Sequence, residues 1–254
     1  MMLRATGIGV RFGAVRAVDG VDLHVDPGEV LGIIGPNGSG KSTFLNAITG
    51  LVPAKGTASI DGTSYRLGRP GAAAKLGLRR TFQTPQVHDG LTCLENVLVG
   101  STDQRRRSVG AAWALRAGMW KRERERWAKA MDALAFTGIA HLAGTAAGSL
   151  PYGQRRLLEI ARASVADPKI VLLDEPAAGL NQVETEQLQQ LIKAMITETN
   201  SIIVVEHKMD FLQGLCSRMV VLELGRVIAQ GPPAQVLRDQ KVIDAYLGTV
   251  AEHA

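Results

Sequence analysis

The sequence predicts an α/β protein in which a largely parallel sheet is covered by helices, with small antiparallel additions and an inserted helical subdomain. Short apolar runs carry that reading: EVLGIIG (29–35), KIVLLDE (169–175), SIIVVEH (201–207) and RMVVLE (218–223). Runs without polar alternation are what strands buried on both faces look like, and helical stretches between the first three give the order of a parallel sheet. Each of these three runs also ends in glycine, carboxylate or histidine, at the strand ends where such sheets take ligands.

Taken in order, residues 1–28 and 56–62 read as short strands with turns, and GPNGSGKST (35–43) leads into the helical TFLNAITG. From about 84 to 165 strand signals give way to Ala- and Arg-rich, helix-forming sequence. VVLELGRVIAQG (220–231) reads as a hairpin. GPPAQVLRDQKVIDAYLGTVAEHA, from 231, reads as a proline-started short helix, a second helix and a frayed tail. The expected division is a catalytic core at 1–83 and 166–231, a helical subdomain at 84–165 and a C-terminal helical tail at 232–254.

A chain of 254 residues with 46% hydrophobic and 21% charged residues has enough apolar side chains for a sizeable core, which excludes disorder. No apolar run approaches the roughly 18 residues of a membrane helix, and MMLRATGIGVRFG lacks the apolar stretch of a signal peptide, so the expected compartment is the cytosol. Cys93 and Cys216 are too far apart for a metal motif and read as buried, reduced residues. The net charge of +5 comes without an aromatic-rich basic stripe, so it reads as a solvated surface and no nucleic-acid partner is expected. The charge clusters DQRRRS (103–108) and KRERERWAKA (121–130) fit an exposed helix.

GPNGSGKST fits G-x-x-x-x-G-K-[ST] after a strand and before a helix. Gly35, Asn37, Gly38, Ser39, Gly40, Lys41, Ser42 and Thr43 thus read as a nucleotide-binding loop. Backbone N–H groups turn in around phosphate oxygens, Lys41 brings charge to the β- and γ-phosphates, and Ser42 offers its hydroxyl to Mg²⁺. Glycine is expected here because the ligand touches the backbone. Asp174 and Glu175 end a buried strand with side chains on opposite sides. Beside a phosphate loop, Asp174 suits the metal and Glu175 suits the attacking water; by themselves they could equally cap the next loop. His207, Gln83 in TFQ and Phe12 stay open on the residues alone: a structural histidine, an ordinary loop glutamine and a core phenylalanine are equally natural. In the helix after LPYGQRR (150–156), Leu157, Leu158, Ala161, Ser164 and Val165 are expected to pack, with Arg155, Glu159 and Arg162 on the other face.

Phe12, GPNGSGKST, TFQ (81–83), LPYGQRRLLEIARA (150–163), IVLLDEP (170–176), AAGLN (177–181) and VVEH (204–207), in this order, resemble the nucleotide-binding subunits of ABC transporters. The resemblance implies a P-loop ABC ATPase with a RecA-like core, an antiparallel β subdomain and an inserted α-helical subdomain, using ATP and Mg²⁺. It implies a head-to-tail dimer with a second ABC subunit, ATP lying between the phosphate loop of one and the LPYGQ segment of the other. Phe12 would then stack on adenine, and Gln83 would sense Mg²⁺, the attacking water and the membrane partner. Asp174 would hold the metal, Glu175 would act as base and His207 would contact the γ-phosphate. LPYGQ stands where the family more often has LSGGQ, so Pro151 lacks the donors of that serine and Gly153, Gln154 and the helix N-terminus are left to face nucleotide. Asn181 stands where aspartate is commoner. YGQRRLLEIAR, EPAAGLN and IDAYLG are most similar to the ATPase subunits of branched-chain amino acid importers. That implies separate transmembrane permease subunits, indirectly a solute-binding protein, and a peripheral position at the cytoplasmic face of the membrane. A cassette for urea or lipid is the nearest alternative. A soluble ABC ATPase acting on ribosomes or DNA usually carries two cassettes or a coiled-coil insertion, and this chain has neither. A small-molecule P-loop kinase would lack LPYGQ.

Overall fold

The computed structural model describes residues 1–101 and 116–251, the side chains of 116–120 and 247–251 excepted. The DQRRRS cluster and the extreme tail at 252–254 lie outside the described residues. In chain order the elements are β1 (Leu3–Phe12), β2 (Val15–Val25), β3 (Val30–Ile34), α1 (Lys41–Thr49), β4 (Lys55–Ile60), β5 (Thr63–Tyr65), α2 (Ala72–Lys75), β6 (Leu78–Arg80), α3 (Cys93–Gly100) and α4 (Arg116–Phe136). They continue with α5 (Tyr152–Ser164), β7 (Ile170–Asp174), α6 (Gln182–Met195), β8 (Ser201–Val205), α7 (Met209–Gln213), β9 (Arg218–Glu223), β10 (Arg226–Gly231), α8 (Pro233–Val236) and α9 (Gln240–Ala251). Two compact units result, Met1–Gln83 with Lys169–Ala254, and Thr84–Pro168.

The first unit holds two sheets. In the larger, ordered β10-β9-β3-β8-β7-β6, all pairings are parallel except the β9–β10 hairpin. Every residue of β3, β7 and β8 is buried, which is why their sequences are continuous apolar runs. The smaller sheet, β2-β1-β4-β5, is antiparallel, with bulges that shift register within β1. Leu3, Ile8, Ile33, Phe44, Ile170 and Leu222 belong to one apolar cluster, so both sheets and α1 share a core. Residues 232–251, part of what the sequence sets apart as a tail, belong to this unit.

The strand β6 is absent from the sequence expectations. Its three residues, two of them arginines, are too few to show periodicity, yet Leu78, Arg79 and Arg80 pair in parallel with Ile170, Val171 and Leu172 at the sheet edge.

In the second unit, α3, α4 and α5 close over a separate core that includes Cys93, Val97, Leu134, Ile139, Leu158 and Val165. Lys121 to Glu125 are exposed on α4, as the charge pattern predicts. The expected charged face of α5 needs correction. Glu159 is buried, not exposed, and pairs at 2.8 Å with the equally buried Arg156, while Leu157 is only half-buried. A facing pair three residues apart lets both charges leave water together. Cys93 and Cys216 are buried and free. Burial, with help from the Glu29 carboxylate, pushes the Cys216 thiol up to about 12, which leaves it unreactive at neutral pH. Among the described residues no helix is long and apolar enough to cross a membrane.

Candidate nucleotide-binding site

The phosphate loop leaves the end of β3 and enters α1 at Gly40, the residue before the helix, with φ 102°. The glycines have different reasons for being there. A Cβ on Gly35 would collide with the carbonyl oxygen of Leu222, and one on Gly40 with that of Ala17, whereas one on Gly38 would meet nothing within 4 Å. Beside the expected contact with ligand, the protein's own backbone excludes side chains at Gly35 and Gly40. All three have positive φ (148°, 77° and 102°), a region costly for other residues.

Lys41 is buried, and its Nζ donates to the carbonyls of Gly35 at 2.7 Å and Pro36 at 2.9 Å. Burial holds its ammonium below the ordinary lysine value, opposed by the carboxylates of Glu175 and Asp174. Ser39 is buried, Thr43 is half-buried, and Asn37, Gly38 and Ser42 are exposed.

Strand ends bring the remaining groups into the same unit. Asp174, last in β7, is buried and accepts from Arg80 Nη2 at 2.8 Å. Arg80 also donates to the Asn46 side chain of α1 at 2.6 Å, so one guanidinium ties the edge strand, the acid and the helix of the phosphate loop. Glu175 has φ 45°, a conformation that costs a non-glycine residue about 1–3 kcal/mol. Its N–H donates to Val205 O at 2.8 Å, and its carboxylate meets both Gln83 Nε2 at 2.8 Å and His207 Nε2 at 3.1 Å. Glu175, Gln83 and His207 thus come together. Phe12, at the end of β1, is 51% exposed, so it is not a core residue.

Gly153 and Gln154 are half-buried in the first turn of α5, in the other unit. Pro151 is the residue before the helix (φ −56°, ψ 158°), and its carbonyl accepts from Arg155 N at 3.0 Å. Proline needs no donated N–H at this place, so it permits the turn. Asn181 caps α6: its side chain accepts from Glu184 N at 2.9 Å and Glu184 accepts from Asn181 N at 3.0 Å. This capping box accounts for asparagine at 181 by local physics.

Sequence reasoning missed Arg80, Glu206 and Tyr246. Buried Glu206 accepts the N–H groups of Ala177 and His207, both at 2.8 Å, and so fixes the chain beside Glu175 and His207 together. Its only signal was a carboxylate ending an otherwise apolar strand. Tyr246 of α9 accepts the N–H of Gly35 at 2.9 Å, across a separation no local pattern can report.

The residues fit a polyphosphate and a hard divalent cation. The open face at Gly38 and the buried ammonium suit phosphate, and Ser42, Asp174 and Gln83 offer oxygen, the donor such a cation prefers. Among the described residues no group of three or more His, Cys, Asp or Glu could hold a metal ion.

A family model described as ABC transporter matches residues 18–178, and one described as branched-chain amino acid ATP-binding cassette transporter matches residues 226–252. The high-affinity branched-chain amino acid transport ATP-binding protein BraF of Pseudomonas aeruginosa is 38% identical, over 97% of this chain and 98% of its own. The ADP conformation of MJ1267, an ATP-binding cassette of an ABC transporter, is similar at a TM-score of 0.83 and 34% identity, covering 97% of this chain and 98% of that one. The dimeric post-hydrolysis state of the ATP-binding cassette MJ0796, bound to ADP and Pi, is similar at 0.74 and 26% identity, covering 91% and 99%. Loop, paired acids and signature turn then have one explanation: the chain belongs to the ABC transporter family, as one of its ATP-binding cassettes.

Proposed function

We propose that this chain is the ATP-hydrolysing subunit of an importer for branched-chain amino acids or similar small polar solutes, working on separate permease subunits at the cytoplasmic face of the membrane. The observation that carries the catalytic part is the convergence of Gln83 and His207 on the strained Glu175, beside the phosphate loop in the same unit. The substrate class is supported by the printed function of BraF and by the family match at 226–252.

Lys41 leaves the Gly35 and Pro36 carbonyls for the β- and γ-phosphates, an exchange in which one set of oxygens replaces another around a buried ammonium. Glu175 takes a proton from the attacking water, with Gln83 holding its carboxylate in place and His207 leaving that carboxylate for the γ-phosphate. Ser42, Asp174 and Gln83 would hold Mg²⁺, which when bound would neutralise charge on the phosphates. Phe12 offers its exposed ring to adenine. Gly153 and Gln154 of a second cassette cover the γ-phosphate, where the start of α5 presents N–H groups. A dimer of cassettes is supported by the dimeric MJ0796 structure.

Glu175→Gln should keep ATP affinity within about twofold while lowering turnover on the order of 100-fold or more, because a positioned base contributes that much. Binding is read by calorimetry and turnover by phosphate release. Undiminished turnover would remove Glu175 from the mechanism. Co-purification with the permease, followed by a search for the binding-protein ligand that stimulates hydrolysis, tests the substrate class.

A further inference from the structure

The ladder of β3 ends at Ile34, whose partner is Val221, so Gly35 N–H lies just beyond the last strand pairing. It donates to the Tyr246 hydroxyl at 2.9 Å. The carbonyl of the same residue accepts Lys41 Nζ at 2.7 Å, and its Cα lies against Leu222 of β9 too closely for any side chain. Gly35 is therefore gripped at all three backbone positions, and one grip comes from the C-terminal helix. Val242 and Ala245 are buried on that helix and supply its packing. Packing alone does not call for a hydroxyl at 246; a hydroxyl oxygen there answers a backbone donor. Burial raises the Tyr246 phenol above the ordinary tyrosine value while the Gly35 N–H lowers it, so the phenol keeps its proton and accepts through oxygen.

We propose that Tyr246 is a positioning residue for ATP: its hydroxyl fixes the Ile34–Gly35 peptide at the end of β3 and so holds the first residue of the loop in the shape that takes phosphate. The C-terminal helix thereby tunes nucleotide affinity without touching nucleotide.

Tyr246→Phe in the full chain removes the acceptor and keeps the ring. Without nucleotide, amide exchange at Gly35 should accelerate by about fivefold or more, the scale of one lost hydrogen bond. The affinity for ADP should weaken by about three- to tenfold, and KM for ATP should rise by the same factor with kcat within about twofold. Val242→Ala is the control, since it loosens the packing of the helix and leaves the hydroxyl alone; it should lower Tm and leave ADP affinity unchanged. Unchanged Gly35 exchange or ADP affinity in Tyr246→Phe, or an equal loss of affinity in Val242→Ala, overturns the proposal. None of these binding readouts depends on the substrate class or on Glu175.

Discussion

Arg80 is the residue whose position changes most in meaning once folded. In sequence it is one of two arginines before TFQ; in space it is the counter-ion of Asp174, with both side chains 7% exposed. Removing one member of a buried pair leaves a stranded charge, a loss of about 3–5 kcal/mol. Arg80→Met should therefore lower the unfolding free energy of the nucleotide-free protein by about 3 kcal/mol in urea titration. Saturating MgADP should shrink that deficit by half or more, because the cation now faces Asp174. An equal deficit with and without MgADP would show that Arg80 is purely architectural. The sequence named Asp174 correctly as an acid at a strand end but could not name its partner, since ion pairs between residues 94 apart leave no local pattern.

At the level of elements, long apolar runs and glycine punctuation were readable, and short or polar-bearing elements were not. The strands β3, β7, β8 and β9 stand where their apolar runs put them, because burial on both faces selects apolar residues and leaves polar ones to the strand ends. The hairpin β9–β10 and the strands before residue 62 were equally plain. The edge strand β6 was invisible, and the face of α5 was misjudged because helical periodicity assigns Glu159 to solvent without knowing that Arg156 answers it. Asn96 in α3 is a similar case. It is fully buried; its Oδ1 accepts His88 N at 2.8 Å, and its Nδ2 donates to His88 O and Thr92 O, both at 3.0 Å. One side chain thus fastens the turn that precedes its own helix. Asn96→Ala should cost about 2–3 kcal/mol by denaturant titration, since several backbone groups lose their partner at once. A loss below 1 kcal/mol would mean that water replaces the amide.

Across the whole molecule, the residues proposed to face nucleotide, from Phe12 to His207, lie in one unit, and Gly153 and Gln154 of the LPYGQ segment lie in the other, each unit having its own core. Damage to the second core should then separate binding from turnover. Leu158→Ala opens a cavity at a fully buried position and should cost about 2–5 kcal/mol. ADP affinity, measured by titration at a temperature where the variant is folded, should stay within about twofold while ATP hydrolysis falls; a parallel loss of both would mean that the units act as one. The unequal glycines of the phosphate loop bear on inheritance. A side chain at Gly35 would meet the backbone of β9, so such an allele should yield an unstable subunit and stay silent beside a normal copy. Gly38→Asp tolerates its positive φ and points a negative charge into open space. On the proposed function its product should fold, take the place of the normal subunit and repel ATP, the pattern of a dominant allele.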